Sequence, residues 1–312
     1  MNKPDMLKAK LRTREEVKTK SFELIESENL KKLGLNKKYY VKTYGCQMNE
    51  HDSENIKAIL EQMSYTETDD MDKADLILLN TCAIRENAHN KVFGMIGRIK
   101  NLKEKNPNLI AGICGCMAQE EVVVNEILEK YNFLDIIFGT HNIHNLPNIL
   151  YTAVNKKDLE VEVLSIEGEI IENIPVKRDS KYKAWVNIMY GCDKFCTYCI
   201  VPYTRGKQRS REHQYIIEEV KELVKNGYQE VTLLGQKLNA ITVHVGWPDK
   251  WNDYSDLDIA NDSFYEAIQR INYYTEKKAM AKLGTKKDKS NWAEGKRTRI
   301  PFVASITADG AR

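Results

Sequence analysis

No apolar run in this sequence of 312 residues approaches the roughly 18 residues that a membrane-spanning helix needs, so no helical span and no membrane partner are expected. Charge of one sign is missing as well. Lys and Arg number 47 against 45 Asp and Glu, for a formal net charge of +2. No global field therefore drives the chain onto nucleic acid, and any RNA contact must come from local basic patches. The opening Met1-Asn-Lys-Pro-Asp5 lacks the apolar core of an export signal, so a cytoplasmic location and reduced thiols are expected. A His-Glu-x-x-His run occurs nowhere, which removes that zinc peptidase centre. What remains is an ordinary globular composition, 42% hydrophobic and 29% charged, in a chain long enough for two domains.

Against this plain background stand seven cysteines. Three fall in one short run, Cys192-Asp-Lys-Phe-Cys196-Thr-Tyr-Cys199, spaced C-x3-C-x2-C. Thiolates this close wrap one metal centre from a single loop. A cubane cluster has four irons and this loop offers three ligands, so one iron would stay open to a substrate or cofactor. Zinc is the rival. It would need a fourth ligand, with His213 the candidate, and structural zinc pairs usually read C-x2-C or C-x4-C.

The first half of the chain alternates short apolar runs with amphipathic segments. Runs at 39–44, 74–79, 109–113 and 134–138 read as strands. Helices are expected from about Asp52, over 86–105 and over 119–131. Such alternation implies βαβ units and a parallel sheet covered on both faces. Cys46, Cys82 and Cys116 each follow one of these strands. Sites in open α/β sheets form outside the carboxyl ends of strands, so the three thiols should converge on one sheet edge. Cys114, apolar-flanked, reads as packing. A strand at 184–189, a helix from His213 to Lys225 and a strand at 230–234 form one further βαβ unit after the cysteine loop.

Four quoted stretches carry a family resemblance. They are Thr43-Tyr-Gly-Cys-Gln-Met-Asn49, Asn80-Thr-Cys-Ala-Ile-Arg-Glu86, Gly115-Cys-Met-Ala-Gln119 and Cys192 to Arg211, with its Val-Pro-Tyr-Thr-Arg-Gly and Ser-Arg. Together they resemble the radical S-adenosylmethionine tRNA methylthiotransferases over about residues 1–236. The resemblance implies two 4Fe-4S clusters. Cys192, Cys196 and Cys199 would hold the one whose open iron chelates S-adenosylmethionine, and Cys46, Cys82 and Cys116 an auxiliary one. It implies cleavage of S-adenosylmethionine to a 5′-deoxyadenosyl radical, hydrogen abstraction at C2 of a modified adenosine at tRNA position 37, and insertion of a methylated sulfur. The Gly-Cys-Gln-Met-Asn form is most similar to the isopentenyl-adenosine branch, with the threonylcarbamoyl-adenosine branch as the alternative. The implied partners are tRNA and a flavodoxin- or ferredoxin-type reductant, and a monomer is expected. Arg205, Lys207, Arg209 and Arg211 are candidates for tRNA phosphate contact, a solvated loop or pairing with the cofactor carboxylate being the alternatives. A metal-binding RNA module without catalysis is the other function class.

The expected fold class is α/β. It runs as a helical extension at 1–38, a three-layer parallel-sheet domain at 39–150 able to fold alone, and a charged connector at 151–180. An incomplete (β/α) barrel of the radical S-adenosylmethionine type follows at 181–236, and then an unrelated, mostly helical tail at 237–312. Within that tail, residues 237–292 resemble an interior piece of neprilysin-like metallopeptidases, chiefly at Trp247-Pro-Asp-Lys-Trp-Asn-Asp-Tyr254. The chain therefore reads as a join of unrelated pieces. Two further expectations follow: the tail supplies no replacement strands, and Val186, Ile188, Val231 and Leu233 are left without partners. Weak cofactor binding, no methylthiolation by this chain alone and no proteolytic activity are expected with them.

Overall fold

The apolar runs of the first half become inner strands because each can be covered on both faces by the helices that alternate with it. In the computed structural model the described residues are 17–83, 86–156, 159–163, 169–197 and 199–235, with the backbone of 240–244 and 305–307. The chain forms two compact units, Met1–Asp179 with Tyr190–Arg209, and Ser180–Met189 with Ser210–Arg312.

In the first unit, β1 (Lys18–Ser21) pairs in parallel with β8 (Glu169–Glu172). The main sheet holds β2 (Lys38–Tyr44), β3 (Thr66–Glu67), β4 (Leu76–Thr81), β5 (Ile110–Gly115), β6 (Ile136–Phe138) and β7 (Glu160–Glu162). Their order is β3-β2-β4-β5-β6-β7, and each neighbouring pair is parallel. The helices are α1 (Glu28–Lys31), α2 (Gln47–Gln62), α3 (Glu86–Lys105), α4 (Glu121–Lys130) and α5 (Leu146–Lys156). Strand periodicity divides the core in two. Leu76 and Leu78 of β4 face Ile56, Ile59 and Leu60 of α2 and Leu146, Ile149 and Leu150 of α5. Ile77 and Leu79 of the same strand join Val92, Ile96 and Ile99 of α3 and Val123, Val124 and Ile127 of α4. This is the expected three-layer arrangement.

Its limits differ from those expected. Residues 17–38 are not a solvated helical extension. They supply β1 and α1, bury Ile25 and pack Phe22, Leu30 and Leu33 on the core. The sparse apolar residues decide this, although Lys and Glu dominate the composition. The segment 151–180 is not a free connector either. It completes α5, adds β7 to the main sheet and ends in ion pairs with α2 and β3. Lys177 pairs with Glu67 at 2.6 Å, Arg178 with Glu54 at 3.0 Å, and Asp179 with Lys57 at 2.7 Å.

The second unit begins with β9 (Lys183–Asn187). Next, β10 (Met189–Tyr190) and β11 (Arg209–Ser210) pair as a short ribbon, with α6 (Val201–Thr204) in the loop between them. Residues 190–209, within the expected 181–236 stretch, pack with the first unit. In the second unit α7 (His213–Lys225) leads to β12 (Glu230–Leu234), which pairs in parallel with β9. The expected βαβ unit is present. Val186, Ile188, Val231 and Leu233 are not left bare. They are buried with Ile216, Val220 and Leu223 of α7.

The tail also departs from expectation. β13 (Ala240–His244) pairs antiparallel with β12, and β14 (Ser305–Thr307) antiparallel with β13. The β-branched run Ile241-Thr-Val243 suits a strand. The helical part expected of the tail and the peptidase-like stretch lie outside the described residues. Among the described residues no helix is long and apolar enough to cross a membrane.

Candidate metal centres

The first cysteine site is built by strand register. Tyr44 of β2 pairs with Thr81 of β4, and Thr81 with Gly115 of β5, so three strands end level with one another. Cys82 and Cys116 follow at once, and Cys46 one residue later. The Cys82 amide donates to the Tyr44 carbonyl at 2.8 Å. Gly115 is obligatory at this junction. Its φ is +94°, and an added Cβ would lie 2.3 Å from Asn80 Oδ1 and 2.6 Å from the Thr81 carbonyl.

Buried polar side chains tie the strand ends to α2. The Asn49 amide donates to Asn80 Oδ1 at 3.0 Å and lies 4.0 Å from Cys116 Sγ. Asn49 Oδ1 accepts from the Cys46 amide and the Cys46 thiol, each at 3.4 Å. Asn80 Nδ2 donates to the Asn49 carbonyl and to Ser53 Oγ, both at 2.9 Å. Cys46 is thus the N-cap of α2, which begins earlier than the apolar periodicity suggested. Asn49, Asn80 and Ser53 are site residues that the cysteine spacing does not point to. The polar positions beside Cys46 and Cys82 were the available signal.

Burial pushes the Cys116 thiol up to about 11, Arg205 pulls it down, and Cys82, Asp52 and Cys46 push it further up. Cys114 is fully buried in the first core, as a packing residue would be, and burial holds its thiol well above the usual range. Among the described residues no three Cys, His, Asp or Glu side chains already surround a common point. The donor set still fits a soft metal cluster: three thiols at open strand ends, two of them buried, with a buried guanidinium nearby.

The second site is local. Cys192 is buried, Cys199 half-buried and Cys196 exposed. The Cys192 amide donates to the Gly206 carbonyl, and the Cys199 amide to the Cys196 carbonyl, both at 3.0 Å. Gly191 has φ +64°, and a Cβ there would meet the Lys207 carbonyl oxygen at 2.1 Å. Phe195, with φ 48°, turns the loop through the left-handed region and packs edge-on against Tyr203. His213, the fourth ligand of the zinc alternative, opens α7 in the second unit, and its side chain lies outside the described residues.

The four cations do not form an exposed phosphate-binding patch. Arg205, Lys207 and Arg209 are each 4% exposed. Arg205 pairs with Asp52 at 2.6 Å. Burial pushes the Asp52 carboxyl up and Arg205 opposes it. Arg209 donates to the carbonyls of Glu169 at 2.8 Å and Arg205 at 3.1 Å. Arg211 pairs with Glu219 at 2.8 Å and donates to the Asn187 carbonyl at 2.7 Å. A cation removed from water needs such partners, and these point inward.

Two family models match the chain: Uncharacterized protein family UPF0004 over residues 38–139, and the Radical SAM superfamily over residues 186–242. The chain is also homologous to proteins named tRNA-2-methylthio-N(6)-dimethylallyladenosine synthase. That of Bacillus licheniformis is 58% identical over 268 residues, 86% of this chain and 51% of that protein. The Oceanobacillus iheyensis protein is 55% identical over 266 residues, 84% and 51% respectively. The Halalkalibacterium halodurans protein is 52% identical over 270 residues, 86% and 48%. The chain thus spans about half the length of the curated relatives it matches. Among solved structures, the radical S-adenosylmethionine methyltransferase TsrM of Kitasatospora setae aligns over 63% of this chain and 47% of that one. Its TM-score is 0.40 at 10% identity, too distant to carry a structural argument.

Proposed function

We propose, from the premise that this chain is a methylthiotransferase homologue, that its chemistry is that of a tRNA-2-methylthio-N(6)-dimethylallyladenosine synthase, a radical S-adenosylmethionine transferase, with weak cofactor binding and no methylthiolation by these 312 residues alone. The observation that carries the reading is the convergence of Cys46, Cys82 and Cys116 on the level ends of β2, β4 and β5. This unit also contains the Cys192–Cys199 loop. Cys46, Cys82 and Cys116 would hold one 4Fe-4S cluster. Cys192, Cys196 and Cys199 would hold another, together with S-adenosylmethionine. When bound, the loop cluster supplies reductive cleavage of the cofactor, and the first site the sulfur chemistry.

The chain's own residues bind, orient and shield. Asn49 sets the Cys46 thiol, and Gly115 lets β5 pass close to Asn80 just before Cys116. Burial of Cys82 and Cys116 keeps water from the first site, while the exposed Cys196 leaves the loop approachable by a cofactor. A cytoplasmic location, tRNA as substrate and a flavodoxin- or ferredoxin-type electron donor belong to the same proposal. None of the four buried or paired cations is assigned to the tRNA.

Anaerobic reconstitution tests this reading. About eight irons with matching sulfide are expected per chain. The Cys196→Ala protein should retain about four and release no 5′-deoxyadenosine from S-adenosylmethionine. Stoichiometric zinc without sulfide, or undiminished 5′-deoxyadenosine from that variant, would sink the proposal.

A further inference from the structure

We infer that Arg205, carried by the loop that bears Cys192, Cys196 and Cys199, is the charge-compensating and positioning residue of the other cysteine site, held there by Asp52 of α2. This rests on the reading of Cys46, Cys82 and Cys116 as a cluster site. Three contacts within the first unit deliver the residue. α6, which immediately precedes it, packs on the 3-10 turn Met117–Gln119, directly after Cys116. Thr140 Oγ1 donates to the Thr204 carbonyl at 3.2 Å. Arg209, four residues on, donates back to the Arg205 carbonyl and onward to that of Glu169. The Arg205 guanidinium is itself buried and interacts electrostatically with Asp52, Cys116 and Cys46.

Docking the loop does not by itself require this placement. A buried ion pair is costly to desolvate, and apolar side chains of similar volume often serve packing equally well. Charge gives the pair a reason to stay. Cluster loading replaces neutral thiols with thiolates, and a nearby guanidinium compensates the added negative charge. Asp52 is the counterweight, fixing the guanidinium while offsetting part of its charge. The same short segment thus provides ligands to one site and a cation to the other.

The reduction potential of the first-site cluster distinguishes this role from simple docking, because it follows local charge. The full chain carrying Cys192→Ala, Cys196→Ala and Cys199→Ala isolates that cluster for a spectroscopically monitored redox titration. Adding Arg205→Gln should move the midpoint to more negative values, and Asp52→Asn should move it to more positive ones. Arg205→Lys should stay near the parent. Arg205→Gln should also weaken iron retention against a chelator by about tenfold. Should Arg205→Gln fail to fold, the Asp52→Asn and Arg205→Lys proteins still decide the matter. Unmoved midpoints, or shifts of one sign in both neutralising variants, would overturn the inference while leaving the cluster reading intact. A parent protein that binds no iron and sulfide would overturn both.

Discussion

Cys46, Cys82 and Cys116 sit on three separate strand–loop junctions and meet because β2, β4 and β5 end in register. Cys192, Cys196 and Cys199 sit in one loop and need only its turns, at Gly191 and Phe195. The first site exists only when a sheet exists. The second is a property of spacing, and tertiary structure decides only where it is held. The difference teaches that equal cysteine counts conceal unequal dependence on folding. It also separates two kinds of glycine dependence: Gly115 fits β5 against its neighbour strand, whereas Gly191 fits the loop against its own later residues.

The sharpest way to break this contrast is Gly115→Val. A side chain at φ +94° would be strained and would strike Asn80 and Thr81. We expect a loss of about 3–5 kcal/mol in denaturant unfolding. The first-site iron should be lost while loop iron is retained. Equal loss from both sites would show that the loop depends on the sheet as strongly as the first site does.

A smaller effect tests where the loop belongs. Leu233→Ala, at a β12 position 2% exposed, should cost about 3 kcal/mol in the second unit. Hydrogen exchange should rise in β9, α7 and β12 and stay unchanged in residues 190–209. Rising exchange in the loop as well would assign it to the second unit.

The smallest expected effect concerns alkaline pH. Burial first, with Asp75 adding to it, pushes Tyr65 from its ordinary value near 10 up to about 12. The folded chain therefore favours the neutral phenol more than the unfolded chain does. This contribution is full below about pH 10 and falls as pH rises toward about 12, for a loss of about 2–3 kcal/mol. Tyr65→Phe should flatten the decline in stability measured across that window by this amount. An unchanged decline would mean that Tyr65 does not titrate with unfolding. Tyr39 is pushed up by burial as well, so it keeps its own share of the decline.

Much of the first unit was legible in the sequence because its signals are local. The apolar runs of β4 and β5 and the helical spacing of Ile56, Ile59, Leu60 and Met63 each declare an element from a few neighbours. Elements that rest on distant partners were not legible. β1 is short, polar and entirely exposed, and it forms only by pairing with β8. β7 extends the sheet beside β6 with a single apolar residue, Val161, among glutamates. The ion pairs at Lys177, Arg178 and Asp179 link positions more than a hundred residues apart, which no local pattern announces.

By itself the sequence determined the identity and spacing of the six cysteines proposed as cluster ligands, the alternation that makes a parallel sheet, and the packing character of Cys114. Thiol chemistry and strand or helix periodicity are properties of neighbouring residues. Only the tertiary structure decided that the three strand ends are level, that residues 190–209 pack with the first unit, and that a basic run turns inward. Arg205 looks like a surface cation in the sequence because nothing near it is acidic except Asp193 and Glu212. Its partner, Asp52, lies 153 residues away. Folding buries both, and a buried guanidinium goes where its carboxylate is.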